Sequence, residues 1–337
     1  MKVTVLAGGN SPEREVSLAS GSLVANALIG NGHRVLLLDP SRGVPEWPED
    51  PETLFSTVAV PTVKVGGEVP ADGGREGPAF GPNLLPACRA AEAVFLALHG
   101  GHGENGRLQA VLECAGVPYT GSDPVGSALA MDKDLAKRLL RAAAVPTPEC
   151  TRFDTATDRI DVLCGAVGFP CVVKPTDGGS SVGVCFAGNE EELREGIARA
   201  AAYGRYVLVE RMIRGRELTV GILGERVLPP VEIRPREGFY DYSSKYGGET
   251  EEICPARVPE RVNARLGIYA RRAFEALRLR GYARFDFLLD DADRLWCLEA
   301  NTLPGMTPTS LFPQEAAAVG ISYPALCETL LRLAVEG

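Results

Sequence analysis

The stretch "YARFDFLLDDADRLWCLEANTLPGMTPTS", residues 282 to 310, decides the fold. Two apolar runs of alternating side chains flank an Asp-rich turn, the pattern of a β-hairpin. With the turn centred between Ala292 and Asp293, Asp286 lies opposite Glu299 and Arg284 opposite Asn301. Side chains at i and i+2 of a strand share a face, so all four point to one side of the ribbon. Three oxygen-bearing groups beside one guanidinium would be costly in a structural core, where buried charge must be paired. They suit a site that holds a hard cation such as Mg²⁺ together with phosphate. A slip of one residue would scatter them over both faces.

At 337 residues the chain has room for two or three domains with substantial cores. An apolar fraction of 45% indicates a globular protein, and a net charge of −9 argues against a nucleic-acid surface. No apolar run approaches membrane-spanning length, and "MKVTVLAGGN" reads as a first strand rather than a secretory leader. The nine cysteines include no C-x-x-C pair, and several sit in strand-like runs such as "PCVVK" and "VGVCF". Reduced, mostly buried thiols in a cytoplasmic protein are expected. His33, His99 and His102 lack ligand spacing with cysteines, which disfavours a zinc site.

The opening "KVTVLAGGNSPEREVSLASGSLVANALIGNGHRVLLLD" reads strand, glycine loop, helix, strand, a βαβ unit heading a parallel sheet. Residues 40 to 86 are rich in Pro and Gly and give no functional reading. "AEAVFLALHG" is a further strand. "PVGSALAMDKDLAKRLLRAAAVPTPE" reads as one helix, with a domain boundary near its start. A strand-rich segment then runs to about Gly215, and the remainder ends in a helix, the hairpin and a C-terminal helix. The domains expected are 1–125, 126–215 and 216–337.

"VVKPTDGGSSVGVCF" sets Lys174 at a strand end before a Gly/Ser loop whose N–H groups and hydroxyls can wrap phosphate oxygens. An ordinary hairpin loop is the plainer account of that stretch alone. "GGNSPEREVSL" lacks the G-x-G-x-x-G dinucleotide fingerprint. Its acids Glu13 and Glu15 open a helix, where they favour the helix dipole; that suffices for Glu13 and less so for Glu15. Glu210 and Glu217, at strand ends, can bind ribose hydroxyls or an adenine amino group, or simply be solvated. Residues 239 to 252, "FYDYSSKYGGETEE", form a loop of the length used as active-site covers. His99 ends a strand where a switch-point crevice would lie, which makes it a site candidate.

In this order, "AGGNSPEREVSLASG", "LHGGHGENGRLQ", "YTGSDPVGSALAMDK", "VVKPTDGGSSVGV", "YDYSSKY", "RFDF" and "LEANTLPGMTPTSL" resemble the D-alanine–D-alanine ligases of the ATP-grasp superfamily. The resemblance runs almost end to end and is weakest between Pro40 and Pro86. It implies an α/β (α+β) ATP-grasp fold with an N-terminal βαβ domain, a central lid domain and a C-terminal catalytic domain. It implies that Lys133, Lys174, Ser181 and Lys245 hold ATP phosphates, and that Glu210 and Glu217 bind adenine and ribose beside the backbone of Arg211 and Ile213. Asp286, Glu299 and Asn301 would carry two Mg²⁺, with Mn²⁺ as an alternative. Glu15, with Ser180 and Tyr246, would bind the ammonium of a first D-alanine. Ser310 and the Leu311 backbone would take the carboxylate of the second, and Arg284 with the Gly305 N–H would face the oxyanion. The resemblance also implies ATP and D-alanine as small-molecule partners, no nucleic acid or membrane, a homodimer and a cytoplasmic location. Gly178, Asn105 and Thr309 depart from the common family residues, and Thr309 bears most on acceptor choice. The rival readings are a sister ligase making D-Ala–D-Ser or D-Ala–D-Lac, and a non-catalytic nucleotide binder, which would be expected to lack Arg284 or a metal ligand.

Overall fold

The computed structural model describes residues 1–63, 78–166, 168–179, 183–235 and 250–336. Strands β1 (Lys2–Leu6), β2 (Arg34–Leu38) and β3 (Ala93–Leu96) form a parallel sheet in the order β2-β1-β3, with the helix Arg14–Gly30 as the β1–β2 crossover. β3 is buried throughout and β1 from Val3 onward, as strands covered on both faces must be. Part of that cover comes from the far end of the chain. The helix Tyr323–Glu336 packs on Arg14–Gly30 and β3, and its Leu326, Cys327, Leu330 and Leu331 share one core with Val3, Val5, Leu28 and Phe95.

A second sheet holds β4 (Cys150–Asp154), β5 (Cys171–Pro175), β6 (Cys185–Ala187) and β7 (Tyr206–Arg211), antiparallel in the order β4-β7-β5-β6. The helix Glu190–Ala201 covers it, seating Leu193, Ile197 and Ala200 on Val173, Val207 and Val209. Its start is capped by Asn189, whose side chain accepts from the Glu192 N–H, and three glutamates fill its first turn, where carboxylates favour the helix dipole.

The third sheet contains β8 (Arg216–Leu223), β9 (Arg226–Val227), β10 (Val231–Pro235), β11 (Thr250–Ile253), β12 (Tyr282–Leu289) and β13 (Leu295–Asn301). Its order is β11-β10-β8-β12-β13, with β9 beside β8. Alternation turns Leu218, Val220, Ile222, Phe285 and Phe287 toward the helix Glu260–Ala276.

Two expectations need correction. The helix expected across residues 124 to 142 is two, Pro124–Met131 and Lys133–Ala142, broken at Asp132. Asp132 is extended, and its carboxylate accepts from the N–H groups of Asp134 and Leu135, both at 3.0 Å. A new N-terminus is capped there, with Lys133 as its first residue. Both helices place apolar side chains, Ala130, Ala136 and Leu140, in the core of the third sheet. Residues 126 to 142, expected in the middle unit, thus contribute to the core of the third sheet.

The hairpin pairs Arg284 with Asn301 and Asp286 with Glu299, as the alternation requires, but Phe287 opposite Cys297 and Leu289 opposite Leu295. The tight turn spans Asp290 to Arg294, closed by Asp290 N–H to Arg294 O at 3.0 Å, with Asp293 at φ 57°. A regular strand leaving that turn would send Glu299 into the core. Instead a β-bulge at Leu298 inserts one extra residue. Leu298 and Glu299 are both half-exposed on the same side, and Ala300 returns to the core.

Among the described residues, no single helix is long and apolar enough to cross a membrane. The eight described cysteines are free.

Candidate active site

The second and third sheets enclose a cavity of about 760 Å³. Val172, Phe186, Met212, Ile213 and Leu298 supply apolar walls, while Lys133, Lys174, Glu210, Glu217, Asp286 and Glu299 supply charge. Arg211, at its edge, sets its guanidinium 5.9 Å from the centre of the Trp296 ring.

The break at Asp132 aims Lys133 inward. Its Nζ donates to Gly178 O at 2.5 Å and lies 3.3 Å from the Glu299 carboxylate. Lys174 reaches one oxygen of Glu210 at 2.5 Å. Lys137, fully buried one helical turn beyond Lys133, sits 2.9 Å from the other and donates to Thr147 Oγ1 at 2.8 Å. Burial alone would raise the Glu210 carboxyl, but the charges of Lys137 and Lys174 hold it below the ordinary value. Lys137 is a site-supporting residue the sequence reading missed. Its spacing of four from Lys133 was the available signal.

Asp286 is saturated with donors. Arg284 gives it two hydrogen bonds at 3.0 and 2.9 Å, Thr219 Oγ1 one at 2.7 Å and Asn301 Nδ2 one at 3.0 Å. Among the described residues no three or more His, Cys, Asp or Glu side chains cluster as metal ligands. Two carboxylates and an amide on one face nevertheless match Mg²⁺, which keeps water and substrate oxygens for the rest of its shell. The residues present fit the ion.

The helix start corrects one candidate. Glu15 is exposed, whereas Glu13 is 8% exposed. A Cβ on Gly100 or on Gly179 would fall 2.8 or 2.7 Å from Glu13 Oε2, so this carboxylate lies between the loop after β3 and the loop after β5. Residues two apart on a helix do not share a face, so only one of these acids can look inward. It is Glu13.

His99 is buried, with Nδ1 3.0 Å from Leu303 O and Nε2 3.3 Å from Ser20 Oγ. Burial holds it below its ordinary value. In its neutral form it donates from Nδ1 and acts as a tether between the first domain and the loop after β13. Both ring nitrogens are engaged by protein, which weakens it as a substrate ligand. Nearby, Glu104 accepts from the N–H groups of Gly100 at 2.9 Å and Leu303 at 3.2 Å. Burial, followed by the charge of Glu13, pushes it up to about 7.

The folded state thus keeps a proton that the unfolded chain releases near 4.5. The stability this group contributes is full below that value and is lost as pH rises through about 7. Relative to the parent protein, Glu104→Gln is expected to gain roughly 2 kcal/mol of unfolding free energy between about pH 5 and about pH 8. Urea titrations at both pH values check this; parallel pH dependence in the two proteins would mean Glu104 is ionised throughout.

Ser310 and Gly305 are brought together, since a Cβ on Gly305 would meet Ser310 Oγ at 3.0 Å. Ser310 precedes the helix Leu311–Ala318, and its Oγ accepts from the Thr307 N–H at 3.1 Å. Leu311 turns its side chain into the protein and leaves its backbone at the helix start. Ser180, Ser181, Lys245 and Tyr246 lie outside the described residues, as does most of the expected cover. Of that cover, residues 250 to 252 belong to strand β11, Thr250–Ile253, paired with β10.

Sequence models of the D-ala D-ala ligase N-terminus and C-terminus match residues 2–122 and 139–332. The D-alanine–D-alanine ligase of Nitratidesulfovibrio vulgaris is 41% identical over 336 residues, covering 99% of this chain and 98% of the relative. The crystal structure of the Bacillus anthracis D-alanine–D-alanine ligase is 30% identical with a TM-score of 0.79, covering 100% of this chain and 98% of that one. The VanG D-Ala:D-Ser ligase of Enterococcus faecalis, 27% identical, also has a TM-score of 0.79, covering 99% of both chains. A nucleotide-sized cleft between two antiparallel sheets, lined by Lys133 and Lys174 together with Asp286 and Glu299, defines an ATP-grasp enzyme, the fold of these neighbours. Across its whole length the chain belongs to the D-alanine–D-alanine ligase family.

Proposed function

We propose that the protein joins two D-alanines into D-alanyl-D-alanine with cleavage of ATP to ADP and phosphate, for peptidoglycan precursor synthesis. The observation that carries this reading is one cleft in which apolar walls stand with Lys133, Lys174, Glu210, Glu217, Asp286 and Glu299. Arg284 pairs with Asp286 there, and Gly305 lies against Ser310.

A carboxylate is a poor electrophile. The first D-alanine therefore attacks the γ-phosphorus of ATP through its carboxylate and becomes an acyl phosphate, with ADP leaving. The amine of the second, deprotonated, then attacks the acyl carbon, and inorganic phosphate departs from the tetrahedral intermediate. Glu13 takes the ammonium of the first D-alanine, with Ser180 and Tyr246 as its partners. This is the role the resemblance had given to Glu15. Lys133, Lys174, Ser181 and Lys245 hold phosphate oxygens. Arg284 and the Gly305 N–H face the oxyanion, where one such donor contributes roughly 3–4 kcal/mol. Ser310 and the Leu311 N–H hold the carboxylate of the second D-alanine at a helix N-terminus. Asp286, Glu299 and Asn301 would hold two Mg²⁺, with Mn²⁺ as an alternative, and when bound these neutralise charge on the triphosphate and the transferring phosphoryl group. A cytoplasmic homodimer completes the proposal.

D-Ala–D-Ser or D-Ala–D-Lac synthesis is the alternative. Fold likeness does not separate it, because both neighbours superpose equally well. Full-length relatives at 41% and 39% identity, however, are named D-alanine–D-alanine ligases, and dipeptide formation is preferred. The non-catalytic reading is disfavoured because Arg284, Asp286, Glu299 and Asn301 are all present.

The test is phosphate release from Mg-ATP with D-alanine and L-alanine in parallel, then with D-serine and D-lactate as second substrates. Release that requires D-alanine, with dipeptide formed in step, is expected. Release that D-serine or D-lactate supports better would reassign the acceptor, and release with no amino acid dependence would overturn the reading.

A further inference from the structure

Beside Arg284 lies a carboxyl that the reaction above leaves unused. β8 and β12 pair so that Thr219 stands opposite Asp286 and Gly221 opposite Arg284. Thr219 uses that position to bond Asp286, but Gly221 has no side chain with which to meet Arg284. Glu315, from the helix Leu311–Ala318, fills the gap. A Cβ on Gly221 would lie 2.4 Å from Glu315 Oε2 and 2.8 Å from the Phe312 ring. The Gly221 N–H donates to Glu315 Oε1 at 3.0 Å. Directly opposed positions on neighbouring strands are in side-chain contact range, so the Glu315 carboxyl occupies the space from which residue 221 would flank the guanidinium.

Glu315 is 0% exposed, and its Oε2 has no hydrogen-bond partner. A buried polar oxygen without a partner costs stability. The bond from the Gly221 N–H accounts for Oε1 as a structural contact, and leaves Oε2 without a structural role.

We propose that Glu315 is a positioning residue, holding the Arg284 guanidinium at its working angle from the β8 side. Asp286 grips Arg284 by two bonds in the absence of ligands. Once Asp286 is engaged with ligands in the cleft, a second polar neighbour keeps Arg284 from following it. That neighbour must not reach substrate itself, and Glu315, walled in by Gly221 and Phe312, meets the condition. Burial raises the Glu315 carboxyl well above its ordinary range, and the charge of Arg284 opposes that shift without reversing it. The proposal rests on the reading of Arg284 as the oxyanion donor.

Glu315→Gln keeps the shape and the acceptor for the Gly221 N–H. It is expected to lower kcat about tenfold, because it replaces the free acceptor oxygen beside the guanidinium with an N–H donor, with KM for ATP unchanged and Tm unchanged or higher. In an Arg284→Lys background the same change is expected to matter less than about twofold, because the coupled partner is already altered. Glu315→Met, which fills the volume, is expected to repeat the activity loss with a lower Tm, because it leaves the buried Gly221 N–H unpaired. Wild-type kcat in Glu315→Gln, or losses that multiply in the double variant, or activity and Tm falling together in both variants would overturn the proposal. The ¹⁵N-labelled Arg284 Nε–H resonance, identified by its disappearance in Arg284→Lys, supplies a readout independent of turnover and is expected to shift in Glu315→Gln. Should the parent protein show no D-alanine-dependent phosphate release, the functional reading fails, while an unmoved resonance would remove Glu315 from contact with Arg284 in either case.

Discussion

Glu299→Ala is expected to cut D-alanine-dependent phosphate release by roughly three orders of magnitude, equivalent to about 4 kcal/mol of transition-state stabilisation. The bulge at Leu298 turns this carboxylate to the same face as Asp286 and Asn301. No described acid other than Asp286 shares that face of the hairpin, so nothing replaces it. Folding should survive. Glu299 is half-exposed, and Lys133 keeps its 2.5 Å bond to Gly178 O when the ion pair is gone. The apolar walls of the cavity, Val172, Met212 and Ile213, are untouched. Nucleotide binding measured without Mg²⁺ should therefore be retained, since those walls stay in place and Lys133, released from its ion pair, remains in the cavity. Parent-like nucleotide affinity with lost turnover separates a ligase from a binding protein. A loss of turnover below about tenfold would end the two-carboxylate reading.

Glu13→Gln is expected to lower kcat/KM for D-alanine by about two to three orders of magnitude, while Glu15→Gln stays within about twofold. The contrast follows from burial. Removing one member of a buried charge-assisted contact leaves the other unpaired and costs about 2–5 kcal/mol; an acid on the solvent side of a helix contributes little. Glu13 lies where the loops bearing Gly100 and Gly179 converge. KM for ATP should move little in either variant, because both acids lie outside the nucleotide cavity. Initial rates against D-alanine concentration decide the matter, and a reversed order of effects would restore Glu15.

The hairpin was legible because strand alternation is a local property, and the pairing of Asp286 with Glu299 follows from it. The bulge that makes this pairing compatible with the turn was not, because Leu298 carries no chemical mark of its own. Glu13 and Glu15 are indistinguishable as letters at a helix start. Their difference is the rotation of that helix against the first sheet, a tertiary fact. Asp132 could have been recognised as a cap, but unbroken helix-forming residues on both sides hid the interruption. Lys137, marked only by its spacing from Lys133, and Glu315, not marked at all, were missed for a further reason. Each matters through what surrounds it, a Lys174–Glu210 pair in one case and a missing Cβ in the other. Long-range closure was equally hidden, since nothing in "YPALCETLLRLAVE" states that its partner is a sheet built from residues 2 to 96.

That closure has a consequence for how the protein is made. Synthesis delivers the first sheet early and one of its covering helices last. At roughly 5–20 residues per second, the interval between the end of β3 and the start of Tyr323–Glu336 is on the order of tens of seconds. Over that time the flank of Phe95 and Leu28 lacks its partner on the ribosome, while the middle sheet, drawn from 150 to 211 with its own helix, can close as soon as it emerges. The nascent chain thus folds from its interior outward, and a truncation that removes the final helix injures the part of the protein that was translated first.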